Sequence, residues 1–344
     1  MKTSQLHLAP DRRERFAALD QKVWLESALL RTWVIAEPAL IIELLRDPRA
    51  VILSIDDMIG AVEQNYAVEF PQVRFAARHL PLFLEDEPHA ERRRSFSKYL
   101  AARLTTLEAR LPELVGRHLR PLQNRGSIEI VSEVIGPLVR EITAIFVDRP
   151  LAGEIEALEL LDLFALNKSL ARFKDLERRV GQAIECLGTA EEDDERRGNR
   201  FTALVMGLET LKAMLIEGLR SAFAQEAHAN DRPAILPAYP IETGVPISYR
   251  RAAADFAIAG REFARGDLFR LQLQTLGYVS RQADRKWIFG AGAHSCVGKQ
   301  ASLRIWAELK RIFDAMLIRG RISSYELAPS HYLVRHSAVH VEVS

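Results

Sequence analysis

The chain has few cysteines, almost no net charge and no long hydrophobic run near its beginning. Cys186 and Cys296 are the only cysteines among 344 residues, too few for a disulfide framework and suited to a reducing compartment. A net charge of +1 gives no reason to expect nucleic acid as a partner. Residues 1–20 lack the apolar segment of a signal peptide or a membrane anchor. We therefore expect a cytoplasmic protein with no membrane attachment.

The composition is otherwise that of an ordinary globular protein. Hydrophobic residues make up 48% of the chain and charged residues 27%, enough for a sizeable core in one or two domains. The sequence shows no internal repeat and no low-complexity tract. Any specific chemistry must therefore come from individual motifs.

The most informative stretch is residues 287–298, WIFGAGAHSCVG. A thiolate that approaches a metal ion needs a backbone bulge with no side chains in the way, and glycines supply the positive φ angles and the clearance. Amide N–H groups of such a bulge can point at the sulfur and tune it. A lone cysteine is otherwise most often a buried free thiol, and this alternative stays open for Cys296 taken alone. The spacing is Phe289-Gly290-x-Gly292-x-His294-x-Cys296-x-Gly298.

This pattern resembles the cysteine-ligand loop of the cytochrome P450 family, and every fixed position of that loop is filled. The resemblance implies that Cys296 is the thiolate ligand of heme b (iron protoporphyrin IX), where a thiolate favours O–O cleavage. It also implies that His294 reaches a heme propionate and that Phe289 covers the sulfur side of the ring. A helix starting near Val297 would place its positive end at the thiolate. The heme-binding residues of the loop are then Phe289, Gly290, His294, Cys296 and Gly298.

A second heme-binding element is expected in residues 86–100, DEPHAERRRSFSKYL. Acidic residues and a proline at its start predict a helix. His89 and Arg93 are four residues apart and share one face of that helix. Two cationic groups on one face suit paired carboxylates, and the resemblance assigns them to the heme propionates. The alternative is a solvated basic face.

Residues 200–228 are apolar and free of proline, which predicts a central buried helix. Within it, Gly207-x-Glu209-Thr210 resembles the oxygen-site motif of the same family, although Met206 stands where a small residue is usual. The resemblance implies that Gly207 makes room beside the oxygen site and that Glu209 and Thr210 supply protons. The alternative is a surface glutamate and a threonine bonded to its own helical turn.

Three segments depart from the family pattern. Glu217-x-x-Arg220 has the letters of the family's Glu-x-x-Arg pair, but it falls on the central helix. Where the pair is expected, two prolines in residues 237–240 disfavour a helix, so we predict that this K-helix segment is abbreviated and the pair missing. The lid preceding the central helix is short and ends in a predicted charged loop, residues 191–199. The meander after Tyr278 is nearly absent.

The remaining segments predict short elements. A strand over residues 32–35 precedes a helix from Pro38 to Leu45. Residues 245–275 carry strand and turn signals, and the resemblance assigns Arg251 to a heme propionate, with Arg250 as second choice. Residues 101–147 are predicted helical, residues 153–189 as one or two helices, residues 299–317 as an amphipathic helix and the tail from 322 as strands. Phe70, Val73, Phe75 and Leu82 either line the pocket or, as we favour, pack in the core.

Together these features predict a mostly α fold with a small β-region. It is a cytochrome P450-like fold, abbreviated in the lid, K-helix and meander segments, with residues 1–344 as a single heme-binding domain. The resemblance implies a monooxygenase that inserts one oxygen atom of O2 into a small apolar substrate. Electrons would come from NAD(P)H through a ferredoxin or flavodoxin. Seven residues form either a basic patch for that donor or a plain solvated face: Arg92, Arg94, Lys98, Lys299, Arg304, Lys310 and Arg311.

Two other functions stay open at this point. One is an atypical heme-thiolate enzyme that uses peroxide or catalyses a coupling, rearrangement or dehydration, because the lid, the meander and the Glu-x-x-Arg pair depart from the pattern. The other is a non-catalytic heme-binding or ligand-binding relative. A shortened chain also leaves surface that a second copy could cover, so a homodimer is possible.

Overall fold

A computed structural model of the chain describes residues 23–27, 31–151, 155, 158–164, 169–188, 193–224, 232–242, 244–278, 287–328 and 335–344. The helices are α1 Pro38–Arg46, α2 Ile55–Tyr66, α3 Pro71–His79, α4 Asp86–Leu119, α5 Gly136–Val147, α6 Leu170–Leu187, α7 Asp194–Ala224, α8 Thr275–Tyr278 and α9 Lys299–Ala315. Short 3-10 turns cover Pro81–Phe83, Arg120–Gln123 and Leu160–Phe164, and a π-helical turn covers Ile130–Ile135.

The strands form three small sheets. They are β1 Val23–Ser27, β2 Thr32–Ile35, β3 Ala50–Val51, β4 Gly126–Glu129, β5 Ile247–Ala252, β6 Phe256–Ile258, β7 Arg261–Phe263, β8 Leu268–Gln272, β9 Gly320–Leu327 and β10 His336–Val343. The largest sheet has the order β1-β2-β8-β5-β3, with β2 and β8 parallel. The others are β4-β10-β9 and β6-β7. The predicted strands at 32–35, in 245–275 and in the tail are therefore confirmed.

Helix α7 is the central element of the fold. It runs for 31 residues, and most of its side chains are buried among the other helices. It begins at Asp194, so the prediction of a loop over residues 191–199 was wrong for residues 194–199. Acidic side chains at a helix start are favoured by the helix dipole, and Asp194 pairs with Arg197 one turn later.

The prediction that residues 101–147 are helical was also wrong in its middle. Helix α4 ends at Leu119, and strand β4 then pairs with β10. The side chain of Glu129 accepts hydrogen bonds from the amides of Val131, Ser132 and Val339. These bonds favour a turn at this point because they supply partners that a straight helix would otherwise provide.

The described residues 232–242, where the family pattern has its K-helix, contain no helix. This segment runs along α9: the Trp306 indole donates to Pro237 O at 3.1 Å and Lys310 Nζ to Leu236 O at 2.6 Å. The Glu217–Arg220 ion pair (2.5 Å) lies within α7, and His336 Nε2 of β10 is 3.2 Å from Glu217. The predicted abbreviation of the K-helix segment is thus confirmed, whereas the meander prediction concerns residues 279–286, outside the described residues.

The core is one continuous cluster of buried hydrophobic side chains from all the long helices and the sheets. Phe70, Val73 and Phe75 belong to it, as the core interpretation predicted, whereas Leu82 lines the cavity described below. In the described part of the chain, every helix is too short or too polar to cross a membrane.

Candidate functional site

A cavity of about 340 Å³ lies between α7 and the cysteine loop, residues 287–298. Its walls come from α4, α5, α7, α9, strand β5 and the segment around Leu160–Phe164. The α7 wall is a stripe at three- and four-residue spacing, which is one face of a helix. The stripe includes Ala203, Met206, Gly207, Thr210, Leu211 and Met214, and Thr202 and Val205 of the same helix also line the cavity.

The cysteine loop folds back on itself through its own backbone. Cys296 N donates to Phe289 O at 2.8 Å, and Gly290 N donates to Trp287 O at 2.8 Å. Gly290 (φ +76°) and Gly292 (φ +69°) adopt the left-handed region, which only glycine enters without strain. These turns place the side chain of Cys296 on the cavity wall, with Phe289 beside it.

The sulfur of Cys296 lies in a defined electrostatic environment. The accessible surface of its side chain faces the cavity. The surrounding protein still removes the sulfur from bulk water, and this burial raises the pKa of the thiol. The amides of Gly298 and Lys299 and the charge of Arg93 act in the opposite direction. Helix α9 begins at Lys299, the first residue of the predicted helix, and its positive end lies at the sulfur. A metal ion at this position would remove the thiol proton and benefit from the same N–H groups.

A cluster of histidine and arginine lies at one edge of the cavity. The ring centroids of His89 and His294 are 4.1 Å apart, with the ring planes tilted by 36°, and His294 Nε2 is 3.1 Å from Glu85 Oε2. Arg93 donates to Ser295 O at 2.6 Å. His89 Nε2 and His294 Nδ1 are buried with no hydrogen-bond partner among the described residues. Buried polar atoms of this kind require a partner, and an anionic acceptor in the cavity would supply one.

His89 differs from the prediction in its charge. Burial, reinforced by His294 and Arg93, lowers the pKa of His89 to about 4. The ring is therefore neutral near pH 7, and it offers a hydrogen bond to a carboxylate rather than the second positive charge that the sequence suggested.

Strand β5 supplies a further cation, but not the one predicted. Arg250 is 6% exposed and lines the cavity, where it donates to Ser248 Oγ and Tyr249 O. Burial lowers its pKa to about 10, and Glu85 opposes this shift. Arg251 is exposed and does not line the cavity. The assignment of Arg251 was wrong because successive strand residues point to opposite faces, so a choice shifted by one residue selects the wrong face.

The motif on α7 is only partly brought to the cavity. Gly207 and Thr210 line it, and a Cβ at Gly207 would meet nothing within 4 Å. The Thr210 hydroxyl donates to Met206 O of its own turn at 2.5 Å, which was the alternative reading of this residue. Glu209 does not line the cavity; its Oε2 is 3.6 Å from Arg335 Nε. The structure thus separates the predicted acid from the predicted hydroxyl.

Sequence patterns missed much of the apolar wall. Its members come from α4, α5 and the segments before and after them, whose alternation of polar and apolar residues looks like any buried helix face. They include Phe83, Phe96, Leu100, Phe146, Leu163 and Phe164.

The predicted basic patch is largely neutralised. Arg94 pairs with Glu87, Arg304 with Glu108, Arg311 with Glu308 and Lys310 with Asp314. Exposed pairs of this kind reduce the positive potential that would attract an acidic partner over a distance. The face of α9 therefore resembles a solvated surface more than a strongly basic one.

The residues present fit a heme. A thiol reaches the cavity between α7 and α9, the walls are mostly apolar, and orphaned histidine nitrogens lie with Arg93 and Arg250 at one edge. That is the arrangement required by a flat apolar ring with one metal ligand and two carboxylates. The described residues contain no group of three or more His, Cys, Asp or Glu side chains that could hold a metal ion by themselves.

Comparison with known proteins agrees with this architecture. No family model and no curated protein sequence matches the chain. Three similar solved structures are P450BioI in complex with an acyl carrier protein ligated to hexadec-9Z-enoic acid (TM-score 0.73, 16% identity, 100% of both chains covered), cytochrome P450-153 from Novosphingobium aromaticivorans (0.71, 17%, 99% of this chain and 98% of that chain) and a thermophilic cytochrome P450 from Sulfolobus tokodaii (0.68, 15%, 96% and 99%).

These likenesses define the class of fold. It is a mostly helical fold with small sheets, in which a cavity lies between a central helix and a cysteine loop. The chain has the cytochrome P450 fold, and the resemblance stated from the sequence is confirmed at the level of fold.

Proposed function

We propose that the protein is a heme-thiolate monooxygenase of the cytochrome P450 type, acting on a small apolar substrate. The observation that carries this proposal is the side chain of Cys296, which reaches a mostly apolar cavity shared with Gly207 and Thr210. Heme with a thiolate ligand supplies the activation of O2 and the cleavage of the O–O bond. The remaining steps depend on residues of the chain itself.

Binding of heme b would use the cysteine loop and the edge of the cavity that carries the histidines and arginines. Cys296 is the metal ligand, while Phe289, Gly290 and Gly298 shape the loop around it. Arg93, Arg250, His89 and His294 lie where they could receive two propionates, and the orphaned nitrogens of the two histidines support this assignment. Charge-assisted hydrogen bonds from guanidinium groups to carboxylates are among the strongest available to a protein.

Substrate binding and proton supply would use the remaining apolar wall of the cavity and helix α7. Apolar side chains there, such as Leu82, Phe83 and Phe164, favour an uncharged substrate and exclude water. On α7, Thr210 is the residue that would supply the proton. Its hydroxyl can donate into the cavity once its hydrogen bond to Met206 O is released. Glu209 would act from behind Thr210, outside the cavity. Electrons from NAD(P)H would arrive through a ferredoxin or flavodoxin on the α9 side.

A carbon monoxide difference spectrum of the purified, dithionite-reduced protein tests the proposal directly. A Soret band at the long wavelength typical of heme-thiolate proteins is the expected result. A shorter-wavelength band would indicate a neutral or displaced ligand. A protein that takes up no heme, even after reconstitution, would rule the proposal out.

Replacing Arg250 with glutamine is expected to weaken heme retention, because the buried guanidinium is the cation of β5 that faces the cavity. Loss of one charge-assisted bond costs roughly 1.5–3 kcal/mol, about ten- to a hundredfold in the rate of heme transfer to excess apomyoglobin. The matched control is Arg251→Gln, on the same strand and exposed, which should transfer heme at the wild-type rate. Equal rates for the two variants would contradict the assignment of Arg250.

Replacing Thr210 with alanine is expected to divert electrons into hydrogen peroxide, because the proposed proton supply then lacks the Thr210 hydroxyl. Peroxide released per NADPH consumed, with a surrogate ferredoxin and its reductase, should rise several-fold, an effect on the order of 1 kcal/mol. Thr210→Ser keeps a hydroxyl and should stay close to the wild type. Unchanged coupling in the alanine variant would remove Thr210 from proton supply.

A second candidate function is an atypical heme-thiolate enzyme that uses peroxide. It is favoured by one observation, that Glu209 lies outside the cavity while Thr210 is bonded to its own helix. An enzyme supplied with hydrogen peroxide receives its oxygen already reduced and protonated. Product formation with hydrogen peroxide, but not with O2 and an electron donor, would favour this candidate over the monooxygenase.

A further inference from the structure

One wall of the cavity is a short segment held from outside by an arginine of α6. We call residues 158–164 the roof segment, because three of its side chains, Leu161, Leu163 and Phe164, line the cavity. Arg179 donates to the carbonyls of Leu158 and Glu159 at 2.8 and 2.9 Å and to Asp162 at 2.6 Å. This side of the roof segment is therefore fixed to the helix next to it.

The other anchor of the roof segment comes from the C-terminal hairpin. Arg335, just before β10, donates to Glu159 Oε1 at 3.0 Å. Glu159 has a φ of +45°, a conformation that costs a residue other than glycine about 1 kcal/mol or more and persists only when contacts maintain it. The Arg335–Glu159 pair is partly exposed, so it is weak and open to screening by salt.

Arg335 also approaches the central helix. Its Nε is 3.6 Å from Glu209 Oε2, and the other oxygen of Glu209 is buried with no hydrogen-bond partner among the described residues. Arg335 therefore stands between two carboxylates, one on the roof segment and one on α7. If the roof segment moves away, Glu209 is the carboxylate that remains beside Arg335.

We propose that Arg335 is a positioning residue that holds the roof segment over the cavity and couples its position to Glu209 on α7. The coupling has a defined direction: a closed roof shares the charge of Arg335 between both carboxylates, and an open roof leaves that charge to Glu209. The part of this inference that concerns turnover rests on the proposed function. The contact between the hairpin and the roof segment does not.

Hydrogen–deuterium exchange of the purified holoprotein tests that contact, because the rate of amide exchange is measured independently of heme chemistry. Arg335→Gln and Glu159→Gln are each expected to speed exchange of roof-segment amides about two- to fivefold, the range for an exposed ion pair. The double variant should add little to either single variant. Arg335→Lys should restore part of the protection. The matched control is Arg321→Gln, at an exposed position of β9, which should leave the roof segment unchanged.

Stopped-flow binding of 4-phenylimidazole, followed by the Soret shift, tests the consequence for the cavity. Arg335→Gln should raise both the association and the dissociation rate about two- to fivefold while changing the Kd less, because opening is affected more than the bound state. In the wild type, added salt should also raise both rates, because it screens the same ion pair. In Arg335→Gln, added salt should have little effect on either rate.

Two results would overturn the inference. One is roof-segment exchange in Arg335→Gln equal to that in Arg321→Gln, and the other is association and dissociation rates of 4-phenylimidazole in Arg335→Gln equal to those of the wild type. Either result can occur in a protein that shows the full heme-thiolate spectrum, in which case the proposed function stands and the role of Arg335 falls. Faster exchange in a protein without that spectrum would keep the role of Arg335 in holding the roof segment and remove the proposed function.

Discussion

Cys296→Ser is expected to abolish the long-wavelength Soret band of the reduced carbon monoxide complex. The sulfur is the ligand atom that the cysteine loop presents to the cavity, with amides of Gly298 and Lys299 pointing at it. A serine hydroxyl is a poor, neutral ligand, so any heme that remains bound should show the shorter-wavelength band. The heme content of the purified variant should also be lower than that of the wild type. Loss of the thiolate should also remove O2-dependent turnover, because electron donation from sulfur is what favours O–O cleavage.

The control for this variant is the other cysteine. Cys186 is exposed on α6, so Cys186→Ser should keep the wild-type spectrum and heme content. Thermal denaturation of both variants distinguishes ligand loss from general unfolding. A long-wavelength band that survives in Cys296→Ser would mean that another group ligates the metal, and the assignment of the whole loop would have to be abandoned.

The cysteine loop shows which parts of a site can be predicted from sequence. Its function requires particular residue types at fixed positions, glycines for positive φ angles and a thiol at the bulge, so the letters alone indicate the geometry. His89 and Arg93 were predictable for a similar reason, since helical spacing places them on one face. In each case the required chemistry and the local backbone conformation limit the residue type at the same positions, so the sequence pattern is enough to identify them.

The errors arose where tertiary contacts choose between local alternatives. Arg250 and Arg251 are equivalent in composition, and only the pairing of β5 with β3 and β8 decides which one faces the cavity. Glu209 sits next to Thr210, but the chain continues past it to a hairpin whose Arg335 lies 126 positions later. No local pattern carries that information. The same holds for the charge of His89, which depends on burial by residues far along the chain.

The shortened K-helix segment illustrates how the fold adapts. Proline residues predicted the absence of a helix, but not what replaces it. Backbone carbonyls of residues 232–242 accept hydrogen bonds from Trp306 and Lys310 of α9, so groups that a helix would satisfy internally find partners on the neighbouring helix. The segment thereby connects α7 to the β5 strand while keeping α9, and the sulfur at its N-terminus, in place.

Gly292→Ala is expected to destabilise the protein by roughly 3–5 kcal/mol, because two costs combine at this position. The residue has a φ of +69°, which strains any side chain. A Cβ there would also lie 2.3 Å from Leu45 O and 3.1 Å from Arg46 Cα. Both are backbone atoms at the end of α1, and they cannot move without shifting that helix.

Gly290→Ala separates the two costs. Gly290 has a similar φ of +76°, but a Cβ there would meet nothing closer than 3.7 Å, so only the strain of about 1–2 kcal/mol is expected. Urea denaturation of both variants gives the difference in free energy of unfolding, and the Soret spectrum reports the state of the loop. The guanidinium of Arg46 lies 4.5 Å from the Trp287 ring, a second contact between α1 and the loop that Gly292→Ala should disturb and Gly290→Ala should not. Equal losses of stability in the two variants would show that the loop does not rest on α1 as the structure describes, and that the position of the sulfur is set by α9 alone.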